Sequence, residues 1–238
     1  MPSRLHSILS QSLTPLDLLG LALLVVAWFG TARIVEHPPA RLPSVSVLMK
    51  TYRRDWMRQF VLRDPRIFDG NILSTLREGT AFFASACMIA IGGGLALLGN
   101  TDPLAGLARE LDATEIPTLL WKLKLLLGLL FVANGFLKFV WAHRLFGYCA
   151  VMMAAVPIDP ALPETEPRAL AAAQVNIQAA HNFNIGLRAV YFALAALCWL
   201  LGPWGLIAGT AAVTALTLRR EFASHSRRAV LDDLGHRG

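Results

Sequence analysis

A chain of 238 residues that is 55% hydrophobic and only 16% charged is more apolar than a soluble domain, which carries about 45–50% apolar and about 25% charged residues. A net charge of +6 would suit a nucleic-acid binder. The apolar residues come in long blocks that leave no basic soluble domain over, so attraction to an anionic inner leaflet explains the charge more simply and excludes nucleic acid as the partner.

The first block, Leu16–Ala32, is preceded by Arg4 and His6 and ends on the small-residue triplet Gly30-Thr31-Ala32. It resembles a signal peptide. Cleavage there would export the most basic loop of the chain, against the positive-inside tendency, so a retained span is expected. The following loop carries nine Arg and Lys residues between Arg33 and Arg77. Within region 44–78, Leu48, Met49, Tyr52, Trp56 and Phe60 recur at helical spacing, and Lys50, Arg53, Arg54 and Arg58 fall opposite. Such a helix either lies among lipid headgroups, with Lys50, Arg53, Arg54, Trp56 and Arg58 as the contacts, or packs on the cytoplasmic ends of the protein's own spans. The two are compatible. Asp64-Pro65 supplies an N-cap and first-turn proline for a helix running into the second block, Gly79–Gly99.

The next connection, Asn100–Pro117, holds Arg109 against Asp102, Glu110, Asp112 and Glu115. A third block covers Leu119–Val140, with Lys122 and Lys124 at its outer end. The proline-rich, acidic stretch Pro157–Pro167 breaks helices, after which Ala169–Asn184 leads into a fourth block, Ile185–Leu201. Gly202-Pro203-Trp204-Gly205 signals a turn before a fifth, Trp204–Leu218, followed by a tail at 219–238 bearing Arg219, Arg220, Arg227, Arg228 and Arg237. The expected fold is therefore all-α: one polytopic membrane domain over 1–238, with five transmembrane helices and a cytoplasmic interfacial amphipathic helix. Five spans with the N-terminus outside and the C-terminus cytoplasmic put the basic loops and tail inside. A four-span reading, with 185–218 as one helix, would leave the tail's arginines outside.

Polar groups at membrane depth need a partner, a cavity or a route to the interface. Lys124, Asn134 and Lys138 project to one side of the third span and could line a path favouring anions; alternatively both lysines snorkel and only Asn134 sits deep. Gln174, Gln178, His181, Asn184 and Arg188 form a second stripe, either a cytoplasmic vestibule or a face docked on the basic loop and tail. Arg188 and Glu221 fall at a similar depth and are a candidate structural ion pair. Thr210, Thr214 and Thr217, like Gly92-Gly93-Gly94, suit close helix packing. Cys87, Cys149 and Cys198 are too scattered for a metal cluster or disulfide framework and read as small hydrophobes. His143 and His181 would have to face each other to hold a haem, and interfacial polar roles suit them better. No HExxH, phosphate-binding glycine loop or Gly-x-Ser-x-Gly occurs. Neither an enzyme nor a cofactor is expected.

Several motifs occur in order along the chain: Trp56 in a basic helix, Arg66-Ile67 followed by Asp69, and Phe82-Phe83-Ala84-Ser85 opening a glycine-bearing span. Then come Phe183-Asn184-x-Gly186-x-Arg188-x-x-Tyr191-Phe192, Trp199, and Arg220-Glu221-Phe222-x-Ser224. Together they resemble the bacterial and plant membrane proteins grouped as domain of unknown function 599, from the first span to Ser224. The resemblance implies a multi-pass membrane protein and supplies neither an activity nor catalytic residues. The expectation is a bacterial inner-membrane protein, either an oligomeric channel or transporter with a basic path through Lys124, Asn134, Lys138, His181, Asn184 and Arg188, or a non-catalytic accessory or scaffold subunit. The partners expected are anionic lipids, further copies of the chain, or another component of a membrane complex.

Overall fold

The computed structural model describes residues 13–39, 41–100 and 118–235. Most of the outer connection expected to carry Arg109 and its acidic neighbours lies outside the described residues, as do Arg4, His6 and Arg237. Among the described residues every regular element is helical: α1 (Pro15–Glu36), α2 (Val45–Val61), α3 (Ile67–Gly99), α4 (Thr118–Ala154), α5 (Thr165–Leu197), α6 (Pro203–Phe222) and α7 (His225–Gly235), with a 3-10 turn at Cys198–Leu201 before α6.

Among the described residues, four segments are long and apolar enough to cross a membrane: Pro15–Glu36, Ile67–Gly99, Leu119–Ala154 and Thr165–Leu201, with mean hydropathies of 2.1, 2.1, 1.9 and 1.6. A bilayer core of about 30 Å needs about 20 helical residues. The 33, 37 and 33 residues of α3, α4 and α5 exceed that. α6 matches the expected fifth span in position, but threonines, glycines and the terminal Arg219 and Arg220 dilute its apolar character. The helix into the second span starts at Ile67, after a cis Asp64-Pro65 bond. Asp64 is thus not its N-cap, and Pro65 stands ahead of the first turn.

The contacts group into two units. The first comprises Met1–Thr31, Cys87–Asn134 and Arg188–Thr217. Its core joins Leu24, Leu120, Phe192, Ala195, Ala196, Trp199 and Leu206. The turn expected near 202–205 is a true break: Gly202 adopts φ +100, and Pro203 opens α6 with its φ already suited to a first turn. α6 then folds back on α5. A Cβ at Gly205 would lie 2.3 Å from the Cys198 carbonyl oxygen, and one at Gly209 would lie 3.0 Å from the Cys198 Cβ. This Gly-x-x-x-Gly spacing is what lets two apolar helices approach backbone to backbone.

The second unit comprises Ala32–Ala86, Gly135–Leu187 and Leu218–Gly238. The apolar face of α2 closes on it: Met57, Phe60 and Val61 pack with Leu73, Phe146, Cys149, Met153 and the alanines Ala169, Ala172 and Ala173. Small alanines on α5 leave room for the large residues of α2. Ser44 caps α2, accepting from Val47 N at 3.3 Å and donating to the Val35 carbonyl at 2.8 Å. Phe83, Phe139 and Phe183 form an aromatic trio with centroids 5.3–5.6 Å apart. The tail, expected only as a basic extension, contains the helix α7, whose Tyr52–Asp233 hydrogen bond and Arg227-to-Pro43 carbonyl contact (3.0 Å) tie it to α2 and its entry.

Candidate functional site

In the first unit, Asp17 lies in the first turn of α1 and is only 4% exposed. One carboxylate oxygen accepts from Thr14 N at 2.9 Å and Thr14 Oγ1 at 2.7 Å, and the other accepts from the Trp199 indole N–H at 2.6 Å. Lys124, 2% exposed, places its ammonium 5.4 Å from the Trp199 ring centroid and 5.8 Å from that of Trp121. Asp17 and Lys124 attract each other electrostatically. Trp199 thus serves both charges, its N–H toward the carboxylate and its π-face toward the cation. Lys124 does not reach solvent; its ammonium lies against two indole rings, and Asp17 acts on it across Trp199 and not through a direct salt bridge.

One aromatic layer further along the same unit, Trp28, Phe131 and Phe192 meet at 5.2–6.2 Å. Arg188, 6% exposed, lies with its guanidinium 5.6 Å from the centroid of Trp28. Asn134 follows Phe131 by three residues and Arg188 precedes Phe192 by four, so helical geometry puts both on the faces that carry the aromatic contact. Among the described residues here, Asn134 Oδ1, Thr210 Oγ1 and Thr214 Oγ1 are buried without a hydrogen-bond partner. Thr217, by contrast, returns its hydroxyl to the Val213 carbonyl at 2.8 Å.

In the second unit the basic face of α2 meets the polar stripe of α5. Arg53 donates to Asn176, whose amide in turn reaches Cys149 Sγ at 3.6 Å. Burial lowers the Arg53 pKa from its ordinary value, though a guanidinium stays charged. Arg58 pairs with Asp55 at 3.2 Å and with Glu166 at 3.6 Å. The Trp56 indole donates to Asp69 Oδ1 at 2.6 Å, and Arg63 salt-bridges the same oxygen. Asp69 is fully buried and its Oδ2 has no partner. Arg53 and Trp56, expected to meet lipid headgroups, are therefore turned onto protein groups: Arg53 stands one turn before the buried Met57, on the side of α2 that packs on α5, while Arg58 is exposed. Lys50 stays half-buried and Arg54 exposed.

Glu221 also departs from expectation. Its Oε2 accepts from Ser46 N and its Oε1 from Ser46 Oγ, both at 3.0 Å, and Asn184 donates to the same hydroxyl at 3.2 Å. The carboxylate assigned to Arg188 instead serves a free N–H in the first turn of α2, where the helix dipole favours an anion. Arg188 and Glu221 belong to different units, and Arg188 has Trp28 for a neighbour. The expected path residues divide likewise: Lys124, Asn134 and Arg188 are in the first unit, and a half-buried Lys138, His181 and Asn184 in the second. His181 lies 3.8 Å from Glu36, and His143 lies 3.2 Å from both Thr80 Oγ1 and the Arg77 carbonyl. Each histidine is committed to its own polar contacts. Among the described residues, no group of three His, Cys, Asp or Glu side chains could hold a metal ion.

Long apolar helices that enclose charged side chains matched to indole rings define a multi-pass membrane protein. The model of the family described as protein of unknown function, DUF599, matches residues 19–226. The chain belongs to that family. No curated protein and no solved structure matches it.

Proposed function

We propose that the chain is a five-span inner-membrane protein whose first unit provides a path for a small polar solute. The observation that carries this reading is the set of buried, unpartnered polar atoms on Asn134, Thr210 and Thr214. Buried polar groups in proteins are almost always hydrogen-bonded, and in an apolar bundle an unmet oxygen calls for water or a solute. Lys124 and Arg188 give the interior a basic bias that suits an anion. α6 serves as the fifth span: its 20 residues extend about 30 Å, the depth of the hydrocarbon. With the N-terminus outside and the C-terminus cytoplasmic, the basic loops and tail obey the positive-inside tendency. α2 then lies at the cytoplasmic interface, packed on the protein while Arg54 and Lys50 face the anionic leaflet. In the α3 span only 6% of the apolar window is buried, which leaves its face for lipid or a second copy of the chain.

Cysteine at position 134 in a background without the three native cysteines should react with a membrane-impermeant thiol reagent. Complete protection in a folded, correctly inserted protein would refute the path. Alkaline phosphatase fused after Gly238 should be inactive; activity there would overturn the orientation. A second reading, an accessory subunit, draws on the way Asp17 and Trp199 hold Lys124 as a structural lock. It expects a stoichiometric partner on purification in mild detergent, and a homo-oligomer alone would end it.

A further inference from the structure

Independently of any path through the first unit, a polar cleft of about 270 Å³ opens in the second, between the end of α1, the basic face of α2 and the stripe on α5. Its walls carry Lys50 and Arg54 from α2, His37 from the end of α1, and Gln174, Gln178 and His181 from α5. Glu36 also borders it, but that carboxylate lies 3.8 Å from His181. Among the described residues, neither the Lys50 ammonium nor the Arg54 guanidinium makes a hydrogen bond or ion pair. They stand four residues apart on one helix face, so they converge instead of diverging. The other arginines nearby behave differently: Arg53 and Arg58 have protein partners.

We propose that this cleft binds a phosphate group. Two cations against the single carboxylate of Glu36 leave the cleft net positive, which favours a phosphomonoester carrying about −1.5 to −2 charges at neutral pH. The two glutamine amides supply neutral donors from the opposite wall, and the guanidinium presents its fork to paired oxygens. Size narrows the class. Ligand pockets for whole drug-sized molecules run from about 300 to 1,000 Å³, so this cleft fits a single phosphoryl headgroup or a small phosphorylated solute and not a nucleotide. Whether the phosphate belongs to a lipid such as phosphatidic acid or to a free solute is a question of source with the same chemistry.

The test uses the full chain in phosphatidylcholine nanodiscs, with two arms. Inorganic phosphate is titrated and read by thermal stability; separately, phosphatidic acid is doped into the disc and its retention over phosphatidylcholine is read by native mass spectrometry. At least one arm should saturate, and K50Q/R54Q should weaken that response at least about tenfold, the effect of losing one charge-assisted hydrogen bond. Gln178→Leu, which alters the cleft from the α5 side, should weaken it as well, so the proposal does not hang on the folding of one variant. Arg77→Gln, outside the cleft, should leave it unchanged. A response to phosphatidic acid alone assigns a lipid headgroup, and a response to inorganic phosphate assigns a free solute. Silence in both arms, or equal binding by wild type, K50Q/R54Q and Gln178→Leu, overturns the proposal.

Discussion

Replacing Asp17 with asparagine should expose how much the Asp17–Trp199–Lys124 group holds the first unit together. The amide keeps the volume but removes the charge. Its oxygen can still accept one bond, from the Trp199 N–H at 2.6 Å or from Thr14, while its NH2 then faces a donor. Lys124, 2% exposed, loses its counter-ion without gaining access to water. Severing one partner of a buried pair costs about 3–5 kcal/mol in soluble proteins. Hydrogen bonds within membranes weigh less, about 0.6–2 kcal/mol each, so about 3 kcal/mol is expected. The assay is reversible unfolding in mixed detergent micelles, read by tryptophan emission, which Trp199 and Trp121 report directly. Lys124→Met should be tolerated better in the Asp17→Asn background than in the wild-type chain, because the double variant removes both charges together. The double-mutant coupling should be about 1 kcal/mol or more, within the range for residues in one shared network. A single Asp17→Asn variant within about 0.5 kcal/mol of wild type, the usual scatter of neutral changes, would refute the reasoning, as would strict additivity of the pair.

Other consequences follow from the same contacts. Gly205→Ala puts a methyl 2.3 Å from the Cys198 carbonyl oxygen, a backbone atom that cannot swing aside, so unfolding in detergent should show a loss of about 1–3 kcal/mol. Gly92→Ala meets nothing within 4 Å inside α3 and should instead gain about 0.5–1 kcal/mol of helix propensity; equal effects at the two glycines would sink the packing argument. Trp56→Phe strips a donor from Asp69, whose other oxygen is already without a partner, and should cost about 1–3 kcal/mol, measured by thermal unfolding against a Trp141→Phe control on the exposed face. Glu221→Ala should cost about 1 kcal/mol, as lost caps do, and hydrogen exchange should speed up at the start of α2 before it does elsewhere.

The helices were legible in the sequence because their signals are local. Blocks of apolar residues, the helical spacing of Leu48, Tyr52, Trp56 and Phe60, and Gly202-Pro203 between two blocks each need only a few neighbours to be interpreted. α7 was missed although Ser224 stands as its cap, accepting from Arg227 N at 3.2 Å, because its eleven residues offer only Val230, Leu231 and Leu234 as an apolar face, too short a period to stand out from the basic tail. The polar stripe on α5 was visible as a stripe, yet what it faced was not: a face of glutamine, asparagine and histidine satisfies water, lipid headgroups or a basic helix equally well.

The charges show why site assignment from sequence stops where it does. Arg188 and Glu221 were matched on depth, but depth is one coordinate, and Ser46, 175 residues from Glu221 in the chain, offers an N–H that a helix start leaves free. Asp17 was overlooked for the opposite reason. An acid at the first turn of a span reads as a favourable dipole partner exposed at the interface, and nothing near it in the chain announces a tryptophan 182 positions away. The signal available was a mismatch: a lysine at a span end that neither needs to snorkel nor lines a cavity must have an anion close by. Asp17, in the first turn of another apolar helix, is such an acid.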